Sequence, residues 1–160
     1  MRSAVLALAV LAVACTEPAA ESPAVSCAQA PDAVVEAVST LDMTATPNPA
    51  GPREEVDLIV ESRGLPEGSL VGIDAQWQCW NGSEWATTHI VYRGFGDNAG
   101  QTIAVNTDFQ IQVPSIGLAL DEGYPIVIPQ VDPGVYRIED EVIVNGDAVP
   151  GFVVVEVTAG

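Results

Sequence analysis

Residues Asp132 to Thr158 read DPGVYRIEDEVIVNGDAVPGFVVVEVT. Two strands are written into this stretch, Val135 to Val144 and Phe152 to Thr158. In the second, Val153, Val155 and Val157 fall on one face and Glu156 on the other, the period of two that a half-buried strand requires. Upstream, Gly and Pro punctuate the chain every 8 to 15 residues. Between them lie short runs rich in Val, Ile, Thr and aromatics. The first strand is expected near Glu36 to Thr46, with Leu41, Met43 and Ala45 alternating. The turn Pro47 to Pro52 follows, then Glu55 to Ser62 with Val56, Leu58 and Val60 in register. After a turn at Gly64 to Gly68, Leu70 to Trp80 and Trp85 to Tyr92 form a hairpin. Its turn signal is Asn81-Gly82, because both central residues of a type I′ turn take positive φ. Weaker strands are expected at Gln101 to Asn106, Phe109 to Val113, Ile116 to Leu120 and Pro125 to Gln130. Only Ala33 to Ala37 reads as a helical turn. The fold class is all-β.

The chain has 160 residues, of which 48% are apolar. That suits one domain with a substantial core. The formal charge is −17, and the five basic residues are all arginines. Nucleic acid is excluded as a partner, because phosphate binding needs clustered cations to displace counterions. Anionic headgroups are disfavoured for the same reason. Acidic clusters stand at Asp121-Glu122 and at Glu139-Asp140-Glu141, and neither has the spacing of a calcium loop.

Met1 to Ala14 is MRSAVLALAVLAVA. Arg2 supplies a positive start, and Ala4 to Val13 an apolar run too short to span a bilayer. Leu11-Ala12-Val13-Ala14-Cys15 resembles the bacterial lipobox, although Ala12 stands where leucine is usual. The resemblance implies that residues 1–14 are a signal peptide and that Cys15 is acylated (palmitate among its chains) and becomes the new amino terminus. The protein would be extracytoplasmic and anchored to the bacterial cell membrane, or to the outer membrane of a Gram-negative cell. Residues 15–30 then form the anchor and a flexible tether. Thr16 to Ser26, rich in Pro, Ala, Ser and Glu, reaches at most about 40 Å. With Cys15 assigned to lipid, Cys27 and Cys79 remain as a pair, and an oxidising compartment favours their disulfide.

Asp132-Pro133-Gly134-Val135-Tyr136 resembles the tyrosine corner of immunoglobulin-like sandwiches, in which Asp132, Gly134 and Tyr136 would be structural. Where those domains carry an inter-sheet disulfide, this chain has Ile138 and, near Leu58 to Val60, no cysteine. Trp77 would be the core tryptophan. More broadly, Trp80-Asn81-Gly82-Ser83-Glu84-Trp85 and Pro133-Gly134-Val135-Tyr136-Arg137 resemble bacterial Ig-like domains of exported lipoproteins. The resemblance implies an antiparallel β-sandwich of about 7–9 strands over residues 31–160, and it brings no catalytic residues with it.

The residues themselves supply little chemistry. His89 is the single histidine, and a lone His on a strand is not a catalytic base without partners. There is no G-x-S-x-G elbow. Cys79 and His89 are too far apart for a short-spaced zinc site. Copper carriage would want more Met and His. The stretch from Gly94 to Gly100 carries Asp97 and repels phosphate. Glu139, Asp140 and Glu141 alternate faces and read as an outward strand edge or bulge, where acids block aggregation. Asn81-Gly82-Ser83 is a formal glycosylation sequon read as a turn. The expected function is a membrane-tethered, non-catalytic envelope module, a single monomeric domain with a binding or structural role and no cofactor. Its partner would be an envelope or extracellular protein or glycan. Binding would fall on the loops Gly94 to Gly100, with Asp97, and Asp121 to Tyr124, with Glu122; Trp80 and Trp85 are further candidates, with hairpin packing as their first reading. The alternative is an exported Ca²⁺ binder or sensor, with an envelope hydrolase third.

Overall fold

The computed structural model describes residues 25–93, 102–104 and 117–160. It is all-β apart from one helical turn, α1 (Asp32–Val35). Among the described residues nine strands follow: β1 (Met43–Thr46), β2 (Glu55–Val60), β3 (Leu70–Val71), β4 (Asp74–Trp80), β5 (Trp85–Tyr92), β6 (Thr102–Ala104), β7 (Tyr124–Val127), β8 (Gly134–Val144) and β9 (Asp147–Val157). They form two antiparallel sheets. The smaller has the order β1-β2-β7. The larger runs β9-β8-β4-β5-β6, with β3 beside the far half of β8.

The inward residues of both sheets share one core. On β2, Val56, Leu58 and Val60 are buried while Glu55 and Asp57 are exposed. From the larger sheet come Ala75, Trp77 and Cys79 of β4, Tyr136, Ile138 and Val142 of β8, and Val155 and Val157 of β9. Trp77 is fully buried and stacks on Tyr136, ring centroids 5.0 Å apart. Such a pair adds roughly 0.5–1.5 kcal/mol beyond its area burial.

Several expected elements take a different form. The first strand is shorter than Glu36 to Thr46, because the residues before Leu41 are used elsewhere. Ser39 Oγ accepts from the Phe152 N–H at 2.8 Å, and the Thr40 hydroxyl donates to the Pro150 carbonyl. The expected strand Leu70 to Trp80 is split at Gly72-Ile73 into β3 and β4, both of which pair with β8. The type I′ turn is not at Asn81-Gly82. There Gly82 alone has positive φ, and the Asn81 side chain accepts from Ser83 and Glu84 to form a four-residue loop. The paired positive φ values lie at Asn145 and Gly146 (54° and 93°), the two-residue turn joining β8 to β9. Within the expected strand Ile116 to Leu120, the described part makes one bridge, Leu118 to Val71. The expected strand Phe109 to Val113 lies outside the described residues.

The free edge of β9 is closed by the proline-rich segment after β1. Proline has no N–H to donate, and Asn48, between Pro47 and Pro49, supplies both partners from its side-chain amide. Its Nδ2 donates to the Val154 carbonyl at 2.9 Å, and its Oδ1 accepts from the Glu156 N–H at 3.0 Å. Ala50 continues the pairing against Glu156 and Thr158. An edge sealed in this way offers no template for another chain.

Gly151 lies where the segment before β1 crosses β9. A Cβ there would meet the Leu41 side chain at 2.5 Å, and Leu41 is itself buried. Gly151→Ala is therefore expected to lower stability by about 1–3 kcal/mol through overpacking. Urea unfolding measures it, and an unchanged midpoint would show that Leu41 moves aside freely.

Candidate functional site

The outward face of the larger sheet carries a polar and aromatic cluster. Trp80 and Trp85 close the β4–β5 hairpin and meet edge to face at 5.8 Å. Across β4, Arg137 of β8 lies with its guanidinium over the Trp85 ring at 5.3 Å and the Phe152 ring of β9 at 4.8 Å. Its Nε donates to Gln78 Oε1 at 2.7 Å and its Nη2 to Glu139 Oε2 at 2.7 Å. The network continues from Gln78 Nε2 to the Thr87 hydroxyl, which donates to Gln76 Oε1 at 2.6 Å. Register explains the assembly. Gln78 pairs with Arg137 and with Thr87, and Glu139 with Phe152. Directly opposed residues share a face, so strand alternation brings side chains of four strands, β4, β5, β8 and β9, into one layer. The rings and guanidinium are half-buried, held in place yet open to solvent on one side. Such a surface can stack a planar or sugar-like group and hydrogen-bond its rim.

Beneath the opposite end of the sheet lies a buried ion pair that the sequence reading missed. Glu139, Asp140 and Glu141 were expected on an outward edge, but β8 is an interior strand. Alternation along it sends Asp140 inward with Tyr136, Ile138 and Val142. There it meets Arg93, which has no exposed surface. The Arg93 guanidinium also donates to the Gly72 carbonyl at 2.5 Å. The break between β3 and β4 frees that carbonyl from the ladder, and Arg93 satisfies it. Asp140 Oδ1 in turn accepts from the Glu141 N–H at 2.8 Å. Burial pushes the Arg93 pKa down to about 10. Burial also raises the Asp74 carboxyl above its ordinary value, an effect that nearby Arg93 partly offsets. The pair joins β5, β8 and the β3–β4 step, and its role is architectural.

The other expected site residues are dispersed. Asp121 and Glu122 sit in the turn before β7, and both are engaged. Asp121 Oδ1 accepts from the Ser62 N–H at 2.7 Å; hydrogen bonding from the Ser62 side chain, then its backbone, holds the Asp121 carboxyl below the ordinary range, and Glu122 accepts from the Tyr124 hydroxyl at 2.7 Å. Gly94 and Asp97 lie outside the described residues, as does Cys15. Among the described residues no group of three or more His, Cys, Asp or Glu could hold a metal ion. The Tyr136 hydroxyl donates back to the Asp132 carbonyl at 2.8 Å. Cys27 and Cys79 are joined by a disulfide, Cα atoms 5.5 Å apart. A cleft of about 750 Å³ separates the segment Val25 to Gln29 from the loop Gln130 to Pro133 and the start of β8. Among the described residues Asp132 is its single charged lining residue, and its two cysteines are consumed by the disulfide.

His89 on β5 bonds to the Thr88 hydroxyl at 3.0 Å. Burial lowers its pKa from the ordinary 6.5. The unfolded chain takes up a proton near that pH and the folded chain resists it, so folding stability falls as pH drops below about 6.5. His89→Gln is expected to flatten this part of the stability–pH curve, read by urea unfolding between pH 7 and pH 5. A curve of unchanged slope would assign the dependence to other groups.

No protein-family model, curated protein or solved structure matches the chain.

Proposed function

We propose that the protein is a membrane-tethered, non-catalytic immunoglobulin-like module of the bacterial cell envelope, binding a partner through the outer face of its larger sheet. The observation that carries the binding role is the layer formed by Trp80, Trp85, Arg137 and Phe152. It combines ring faces with an amide, hydroxyl and carboxylate network on one rigid sheet. Residues on strands hold a recognition surface more firmly than loops do. The strand order supports the Ig-like reading. β1, β2 and β7 stand where strands A, B and E would, and β4, β8 and β9 where C, F and G would. Trp77 on β4 and the backward bond of Tyr136 fit the same scheme. The lipobox-like Leu11 to Cys15 supports the tether.

Two measurements test the proposal. Intact mass of the membrane-extracted full chain is expected to show lipid on Cys15, and Cys15→Ser to release the protein into the soluble fraction. An unlipidated, soluble wild-type protein would remove the tether. Co-sedimentation with isolated cell-wall polymer is expected to weaken in Trp85→Ala and Phe152→Ala. Binding that survives both changes would move recognition away from this face.

A further inference from the structure

The chain contains two Asn-Gly pairs in β-hairpin turns, and the structure treats them differently. At Asn81-Gly82 the side-chain Oδ1 accepts three hydrogen bonds, from the Ser83 N–H at 3.0 Å, the Ser83 hydroxyl at 2.9 Å and the Glu84 N–H at 3.0 Å. Asn145, in the two-residue turn between β8 and β9, is exposed, and its side chain makes no hydrogen bond among the described residues. Both asparagines are followed by glycine, which places no side chain in the way of attack by its backbone nitrogen.

We propose that Asn145 is a self-modification site, which converts spontaneously to aspartate and isoaspartate in the folded protein while Asn81 is protected. The Gly146 backbone nitrogen attacks Asn145 Cγ, forming a C–N bond. The Cγ–Nδ2 bond breaks, and the amide leaves as ammonia carrying the proton lost by Gly146. Water then opens the five-membered imide at either carbonyl, giving an α- or a β-linked aspartyl residue. No oxidant or enzyme is required, and water is the only co-reactant. The β-linked product adds a methylene to the backbone of a turn that has only two residues, and both products add a negative charge beside Asp147. Because β8 and β9 are the longest strands among the described residues, eleven residues each, the change falls on the hairpin that organises the larger sheet.

The rate difference follows from restraint. Asn81 must give up its hydrogen bonds to turn Cγ toward Gly82. Each net hydrogen bond lost is worth roughly tenfold in rate. Incubating the full chain at mildly alkaline pH, followed by peptide mapping with mass spectrometry, is expected to show Asn145 converting at least about tenfold faster than Asn81. Ser83→Ala removes one of the bonds and is expected to narrow the gap by accelerating Asn81. In denaturant the two sites are expected to converge. An intact Asn145, a faster Asn81, or a gap that persists in denaturant would each overturn the proposal.

Discussion

Asp140→Ala is expected to cost about 3–5 kcal/mol of folding stability, the loss that follows when one member of a buried ion pair is removed. Arg93 has no exposed surface, so its guanidinium cannot turn to water without opening the sandwich. In the intact fold burial pushes its pKa down only to about 10, so it is charged at neutral pH. The double variant Arg93→Met with Asp140→Leu separates the cost of an uncompensated charge from the worth of the pair. Replacing a buried pair by apolar side chains is often neutral or stabilising. Here it strands the Gly72 carbonyl that Arg93 satisfies, and an orphaned buried acceptor costs about 1–3 kcal/mol. The double variant is therefore expected to recover part of the loss, ending between wild type and Asp140→Ala in urea unfolding. A double variant as unstable as Asp140→Ala would mean that Arg93 acts mainly through the Gly72 carbonyl. A single variant within about 1 kcal/mol of wild type would mean that water reaches the site.

That ion pair marks the limit of what alternation reveals. The valines of β2 and β9 announce their faces, because an apolar residue every second position has one plausible destination. The same rule applied to Glu139, Asp140 and Glu141 leaves their polarity and their position in conflict. The parity of Tyr136, Ile138 and Val142 points Asp140 inward, and only its charge argues otherwise. The partner that resolves the conflict is 47 residues away in sequence, and no local pattern links the two. The outer-face cluster was legible only in part, as Trp80 and Trp85, for a similar reason. Trp85, Arg137 and Phe152 come from three strands, and only the register of β5, β4, β8 and β9 brings them together. By contrast, the backward bond of Tyr136 spans four residues and could be sought in Asp132 to Tyr136 directly. The displaced hairpin turn has a local cause: Asn-Gly signals a turn, but loop length selects its type. Trp80 and Trp85 enclose four residues, whereas Val144 and Asp147 enclose two.

Removing the disulfide by Cys27→Ala with Cys79→Ala is expected to cost about 4 kcal/mol, the chain-entropy value for a loop of this size. The bond spans 52 residues and encloses α1, β1, β2 and β3, so its loss frees almost the whole first half of the described chain in the unfolded state. The effect has a second signature besides the midpoint. An uncrosslinked unfolded chain exposes more surface, so the urea m-value is expected to rise. A loss of stability with no rise in m would trace the effect to the folded state instead, where Cys79 is buried beside Trp77 and Tyr136. The folded-state consequence is local. Cys27 holds the amino-terminal segment against the end of β4, where the Ala28 N–H donates to the Trp80 carbonyl at 2.7 Å. Without the bond, hydrogen exchange at Ala28 is expected to accelerate ahead of the core strands. Cys79 and Asp74 stand near opposite ends of β4, about 17 Å apart at strand rise, and the Arg93–Asp140 pair lies at the Asp74 end. Changes at sites so separated add. Asp140→Ala together with loss of the disulfide should then remove roughly 7–9 kcal/mol, as much as many domains possess. The combined variant is expected to be unfolded at room temperature, and a cooperative transition for it would show that the two ends of the sandwich compensate for one another.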